Sequence, residues 1–152
     1  MTEKKNVVYV GADHGGYALK VLFLEELPQA FPGWVFEDLG CDSQDSVNYP
    51  DYAEKVARKV VENNALGILL CGSGIGVSIA ANKINGIRAS LVWDVTSAHL
   101  SREHNNANIL CMGARLVGRD VALESARTWL NTEFHGGRHQ KRVDLIHQLE
   151  QS

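Results

Sequence analysis

Short apolar runs alternate with longer amphipathic stretches along the whole chain. Five runs are rich in β-branched and aliphatic residues and predict buried strands; they cover residues 7–10, 34–36, 66–70, 87–92 and 108–112. The stretches between and after them predict helices over 17–27, 52–63, 78–83, 96–104, 121–130 and about 138–149. Strands that alternate with helices require crossover connections, so the pattern predicts a mostly parallel sheet covered on both faces.

Turn and capping residues mark where some of these elements end. Pro28 is expected to end the first helix, because proline removes a backbone donor. Asp94 or Thr96 is a candidate cap for the helix over 96–104. No linker, repeat or low-complexity segment divides the 152 residues. We therefore expect one domain over residues 1–152.

Composition and charge narrow the classes of function. A net charge of −3 argues against a protein that coats nucleic acid. No apolar run approaches membrane-spanning length, and the N-terminus lacks a signal-peptide pattern, so we expect a cytoplasmic protein without a membrane partner. The three cysteines form no CxxC pair, which favours a reducing compartment and no structural zinc.

The most informative stretch follows the third predicted strand. Cys71 stands at the end of that strand, and Gly72, Gly74 and Gly76 follow at alternate positions. Such glycines let backbone N–H groups turn toward an anion, and the start of the next helix adds partial positive charge. The same field favours a thiolate at Cys71, although a free cysteine is also common as a small buried hydrophobe. The spacing is not GxGxxG, and no Walker lysine follows, so a dinucleotide site is disfavoured.

Further polar candidates follow the other strands, where ligands bind in parallel sheets. Asp13 and His14 follow the first strand, and Arg115 follows the fifth; Asp13 could also be only a helix cap. His104 lies at the end of a predicted helix. It is five residues from His99, so the two do not share a face well, which argues against a paired metal site.

A basic segment near the C-terminus completes the set of candidates. Gly136 and Gly137 directly precede Arg138 in the sequence. Arg138 and Arg142 are four residues apart and should share one helical face. That face is either a solvated basic surface or a phosphate clamp. A thiol, N–H donors and phosphate-binding cations together suit proton transfer next to a carbonyl group of a phosphorylated substrate, and no metal-ligand cluster is apparent.

Five motifs, in order along nearly the whole chain, resemble those of the type B ribose-5-phosphate isomerases, a family that includes galactose- and allose-phosphate isomerases. They lie at residues 11–16, 49–53, 71–83, 100–105 and 136–142. The resemblance implies a Rossmann-like, three-layer α/β/α sandwich on a five-stranded parallel sheet, with no metal or organic cofactor. It also implies an aldose–ketose isomerase that interconverts D-ribose 5-phosphate and D-ribulose 5-phosphate through an enediolate.

The resemblance also implies a role for each matched residue. Cys71 matches the base that moves a proton between C2 and C1. His104 matches the acid that helps to open the furanose ring, with Asp13 nearby. Val77 stands where another branch has a glutamate base, so the chain resembles the cysteine branch. The matched loop, whose N–H groups hold the enediolate oxygen, comprises Gly72, Ser73, Gly74, Ile75 and Gly76. The positions matched to sugar or phosphate contacts are Asp13, His14, Tyr49, Asn105, Arg115, Arg138 and Arg142.

Sites in this family are completed across a dimer interface. We therefore expect a homodimer or a dimer of dimers, in which the helix over about 138–149 packs on the partner. Two alternatives stay open. One is the same chemistry on allose 6-phosphate, galactose 6-phosphate or a tetrose 4-phosphate. The other is a phosphosugar-binding module without catalysis.

Overall fold

A five-stranded, fully parallel sheet forms the centre of the computed structural model, which describes residues 6–151. The strands are β1 (Val7–Ala12), β2 (Val35–Asp38), β3 (Leu66–Cys71), β4 (Ala89–Leu91) and β5 (Ile109–Gly113). Their order across the sheet is β2-β1-β3-β5-β4, so β1, β3 and β5 are the inner strands. The predicted parallel sheet is confirmed.

Helices cover both faces of the sheet and make the fold the expected three-layer α/β/α sandwich. They are α1 (Tyr17–Ala30), α2 (Tyr49–Asn63), α3 (Ile75–Ala81), α4 (Val95–Asn105), α5 (Arg119–Asn131) and α6 (Arg138–Gln148), followed by one 3₁₀ turn over Leu149–Gln151. Helices α1, α4 and α5 share one buried core, and α2 and α3 share the other. No helix in the described part of the chain is long and apolar enough to cross a membrane.

Alternation along the inner strands decides which core each side chain enters. Ile68 and Leu70 enter the core beneath α1 and α5, whereas Leu69 and Cys71 enter the core beneath α2 and α3. Cys111 of β5 lies in that second core as well. The alternation therefore directs Cys71 toward α2 and α3.

Several element boundaries differ from the prediction. Pro28 does not end α1, which continues to Ala30; proline in the last turn removes only one of the helix's hydrogen bonds. Helix α2 begins at Tyr49 rather than at residue 52, because Pro50 fits the first turn, where its missing N–H needs no partner. Strand β4 covers only residues 89–91, since it lies at the edge of the sheet and pairs with β5 alone.

Two helix starts are explained by their flanking residues. Asp94 caps α4 in a reciprocal capping box with Ser97, which confirms one of the two predicted caps. Helix α3 begins at Ile75, three residues earlier than predicted, because the left-handed Gly74 ends the preceding loop and its carbonyl already accepts the Ser78 N–H.

The loops after the three inner strands are tied together by main-chain hydrogen bonds. The Asp13 N–H donates to the Leu70 carbonyl (3.2 Å), and the Ala114 N–H donates to the Cys71 carbonyl (2.8 Å). The Arg115 N–H donates to the carbonyl of the residue after Cys71 (3.0 Å). The polar residues that follow β1, β3 and β5 therefore meet at one edge of the sheet, next to the point where the strand order reverses.

Candidate active site

A cleft of about 550 Å³ opens where β1, β3 and β5 end. It is lined by Asp13, Tyr49, Cys71, Gly72, Ser73, Ile75, Gly76, Ile79, Arg115 and Leu116. Sequence reasoning missed Ile79 and Leu116, because an exposed aliphatic side chain carries no chemical signal in a single sequence. The other lining residues were candidates from the sequence, and the fold brings them together.

Cys71 lies at the floor of this cleft and is 4% exposed. The Gly74 N–H donates a hydrogen bond to Cys71 Sγ at 3.1 Å. Gly74 adopts φ +79°, and a Cβ atom there would lie only 2.6 Å from Leu91 Cδ1 and 2.8 Å from the carbonyl carbon of Met112. Glycine is therefore required for the turn that points this N–H group at the sulfur.

The loop over residues 72–76 leaves three main-chain N–H donors free for a ligand. The Ile75 N–H is used within the loop, donating to Ser73 Oγ at 3.2 Å. The N–H groups of Gly72, Ser73 and Gly76 have no acceptor among residues 6–151. Three unengaged N–H groups beside a thiol can stabilise an anion that forms in the cleft.

Tyr49 and Arg115 both line the cleft, Tyr49 near Gly76 and Arg115 near Gly72. The ring of Tyr49 packs so closely on the loop that a Cβ atom on Gly76 would lie 2.5 Å from Tyr49 Cζ. Arg115 is exposed and is anchored through its main-chain bond to Gly72. It supplies the positive charge of the lining set.

Asp13 and His14 lie in the turn between β1 and α1. Asp13 is 7% exposed, and its Oδ1 accepts the Gly16 N–H at 3.1 Å. His14 is half-buried, and its Nδ1 accepts the Val47 N–H at 3.2 Å. Asp13 lines the cleft, whereas His14 lies beside it and is not among the lining residues.

The other predicted site residues form a separate group at the ends of α4 and α6. The ring of His104 stacks on that of His139, with centroids 4.3 Å apart and planes at 13°. The ring of His135 meets His139 edge-on at 6.1 Å. Asn105 lines a different depression, between β4 and α4. His104 and Asn105 therefore do not reach the Cys71 cleft of the same chain.

The same group concentrates positive charge. Burial lowers the pKa of His139, and the neighbouring charges of His104, Arg138, Arg142 and His135 lower it further. Neither Arg138 nor Arg142 has an ion-pair partner within the described chain. Both arginines are exposed and lie outside the cleft. The group is suited to binding an anion such as a phosphate.

His139 is a residue of this group that sequence reasoning did not single out. It lies within the motif at 136–142 and is 7% exposed. The available signal was its place between two arginines on one helical turn. His139 packs inward, whereas Arg138 and Arg142 stay exposed on the same helix.

The remaining features limit the chemistry that the site itself can offer. Burial raises the pKa of Cys111, and the nearby Cys71 raises it further, so Cys111 stays a neutral thiol. Among residues 6–151, no three or more His, Cys, Asp or Glu side chains are grouped to hold a metal ion. A thiol, unengaged N–H donors, a carboxylate and an arginine in one cleft of a parallel sheet define an α/β enzyme that handles an anionic substrate.

The particular family follows from comparison with known proteins. The Ribose/Galactose Isomerase model matches residues 8–146. YwlF of Bacillus subtilis, named only generally as a sugar phosphate isomerase, is 47% identical over 95% of this chain and 97% of its own length. Ribose-5-phosphate isomerase B of Escherichia coli is 43% identical over 93% of this chain and 94% of its own length.

A solved structure agrees with these matches. Ribose-5-phosphate isomerase B of Clostridium thermocellum superposes with a TM-score of 0.92 at 46% identity, covering 95% of this chain and 97% of the other. The chain therefore belongs to the ribose/galactose isomerase family, and it is an enzyme of the aldose–ketose isomerase class.

Proposed function

We propose that this chain, as one isomerase domain, interconverts D-ribose 5-phosphate and D-ribulose 5-phosphate, with the Cys71 thiolate as the base. The observation that carries the proposal is the hydrogen bond from the Gly74 N–H to Cys71 Sγ beside the unengaged N–H groups of Gly72, Ser73 and Gly76. Relatives named ribose-5-phosphate isomerase B support the substrate.

The proposed reaction moves one proton between adjacent carbon atoms. Cys71 removes the proton from C2 of the open-chain aldose, the electron pair forms a C1–C2 double bond, and the C1 carbonyl oxygen becomes an enediolate oxygen. The N–H groups of Gly72, Ser73 and Gly76 stabilise this charge as it develops. After a proton passes from the C2 oxygen to the C1 oxygen, Cys71 returns its proton to C1, and C2 becomes the ketone.

Within residues 6–151, the Cys71 cleft is lined by one arginine, Arg115, and by no histidine, so ring opening and phosphate binding call for further groups. We propose that His104, Asn105, Arg138 and Arg142 serve the cleft of a second copy in a homodimer or a dimer of dimers. His104 would assist ring opening, with the partner's cleft supplying a carboxylate from Asp13. The two arginines would bind the phosphate group.

Exposed apolar side chains beside the cleft support a shared site. Leu116 is 70% exposed and Ile79 is 58% exposed, yet both line a cleft whose substrate is polar. A second copy that packed on them would remove this apolar surface from water. Helix α6 of that copy would carry Arg138 and Arg142 to the cleft.

Mixing two impaired variants tests the shared site. Cys71→Ala removes the base, and Arg142→Ala is expected to lower kcat/KM about 10- to 100-fold through loss of a charged hydrogen bond. Dimers reassembled from equal amounts of the two variants should have about a quarter of their sites intact, because half of the dimers are hybrids with one complete site.

The outcomes of the mixing experiment are distinct. Recovery of about a quarter of the wild-type activity supports a site shared between two copies. Activity no higher than the average of the two separate variants contradicts it, provided that hybrid dimers are detected by mass spectrometry. Lys141→Ala removes an exposed charge from the same helix and should keep full activity.

The family's name bears on the choice of substrate, and the cysteines of the chain bear on the place of action. The family's name covers galactose as well as ribose, so longer sugar phosphates must be assayed beside ribose 5-phosphate. Cys41, Cys71 and Cys111 are free, buried thiols, which fits a reducing cytoplasm as the place of action. The proposed reaction would place the enzyme in pentose phosphate metabolism.

A further inference from the structure

A main-chain hydrogen bond fixes the chemical form of His14. The Val47 N–H donates to His14 Nδ1 at 3.2 Å. A main-chain N–H group can only donate, so Nδ1 must be unprotonated and the single proton of the neutral ring lies on Nε2. His14 Nε2 has no hydrogen-bond partner among residues 6–151.

This bond joins two loops that each carry a lining residue of the cleft, Asp13 in one and Tyr49 at the end of the other. His14 follows Asp13, whose carboxylate accepts a hydrogen bond from the Gly16 N–H. The turn that carries His14 is therefore fixed by this bond as well as by the bond from Val47. Val47 lies two residues before Tyr49, which begins α2 and lines the cleft. The loop before α2 thus orients a side chain of the loop after β1.

We propose that the Val47 main-chain N–H is a positioning group that presets His14 as a hydrogen-bond donor, through Nε2–H, to an oxygen atom of the substrate. The inference rests on the proposed function and on the motif at residues 11–16, through which the sequence resemblance gives His14 a contact with the sugar or the phosphate. With its proton on Nε2, the imidazole ring has no lone pair at Nε2, the nitrogen atom that the Val47 N–H does not contact. It therefore suits an acceptor-only group such as a phosphate oxygen and does not act there as a base.

The tautomer can be measured without any substrate. Long-range ¹H–¹⁵N spectra of the imidazole rings, recorded above neutral pH, distinguish a protonated from an unprotonated ring nitrogen, and His14→Gln identifies the His14 signals by their loss. The expected result is an unprotonated Nδ1 and a protonated Nε2. A proton on Nδ1 would overturn the proposal whether or not the protein isomerises any sugar phosphate.

Two variants of Val47 separate its main chain from its side chain. Val47→Ala keeps the N–H group and should keep the His14 tautomer, whereas Val47→Pro has no N–H and should give a mixture of tautomers. Relative to Val47→Ala, the proline variant should raise KM about tenfold with little change in kcat, because a preset binding contact is lost. Equal tautomer populations and equal KM in the two variants would refute the positioning role.

A second pair of variants keeps the donor role testable if Val47→Pro fails to fold. The amide of His14→Gln reaches the place of Nε2 and can donate there, whereas the shorter amide of His14→Asn reaches only the place of Nδ1. We expect the glutamine variant to keep a kcat/KM about tenfold higher than the asparagine variant. Equal losses in both variants would show that donation from the Nε2 position is not what His14 supplies. If the wild-type protein turns over no sugar phosphate, the proposed function fails, while the spectra still decide the tautomer.

Discussion

A methyl group added at Gly74 tests how tightly the loop over residues 72–76 is packed. Gly74 adopts φ +79°, which costs a residue with a side chain about 1–2 kcal/mol. The new Cβ atom would also lie 2.6 Å from Leu91 Cδ1 and 2.9 Å from the Gly113 nitrogen, and such overpacking costs about 1–3 kcal/mol more. Gly74→Ala should therefore lower the free energy of unfolding by about 2–5 kcal/mol.

Gly33 provides a matched control for the backbone contribution. It also has a positive φ, +90°, but a Cβ atom there would meet no heavy atom within 4 Å. Gly33→Ala should therefore cost only the conformational part, about 1–2 kcal/mol. The difference between the two variants measures the packing around the loop.

Urea unfolding at one fixed protein concentration measures both variants. The fluorescence of the fully buried Trp129 contributes to the signal. Equal destabilisation by Gly74→Ala and Gly33→Ala would refute the packing argument. Gly74→Ala should also lower kcat about tenfold or more, because the N–H group would shift away from Cys71 Sγ, whereas Gly33→Ala should leave kcat unchanged.

Three further predictions concern other parts of the molecule. Lys20 is 2% exposed and pairs with the half-exposed Asp38 at 2.7 Å, so Asp38→Ala should lower the free energy of unfolding by about 3 kcal/mol by leaving a buried ammonium unpaired. Lys20→Met keeps the side-chain volume without the charge, and an equally large loss of unfolding free energy in this variant would contradict the reasoning. Because the pKa of His139 in the folded state is lowered from 6.5, the unfolded state takes up the proton more readily, and the free energy of unfolding should fall as the pH drops below 6.5. Denaturation of His139→Gln should show a shallower fall of unfolding free energy with pH, and an unchanged pH dependence would be evidence against this role of His139. Iodoacetamide should modify Cys71, which lines the cleft, and spare the fully buried Cys111 with its raised pKa; peptide mapping that finds both equally labelled would contradict the contrast.

The alternation of strands and helices was enough to predict the sheet but not its strand order. Val7–Ala12 and Leu66–Cys71 are continuous apolar runs, and such runs are typical of inner strands of a parallel sheet. The order of the last two strands, with β5 next to β3 and β4 at the edge, depends on how α4 and α5 pack on the sheet. No local pattern in the sequence carries that information.

Which residues line the cleft was partly predictable from the parallel arrangement of the strands. Asp13, Cys71 and Arg115 meet because each follows an inner strand of a parallel sheet. The distance of Arg138 and Arg142 from the same cleft could not be predicted, because it depends on the direction that the chain takes after α5. Their helical spacing showed only that they share a face.

The measurement that tests the account most directly is an isomerase assay of the Cys71 cleft. Purified protein with EDTA present is given ribose 5-phosphate, allose 6-phosphate, galactose 6-phosphate and erythrose 4-phosphate, with Cys71→Ala as the test variant and Cys111→Ala as its matched control. We predict a clear preference for ribose 5-phosphate, a loss of about a hundredfold or more in Cys71→Ala, and retained turnover in Cys111→Ala. Near-normal turnover by Cys71→Ala, or no turnover of any of the four sugars by folded wild-type protein, would contradict the account.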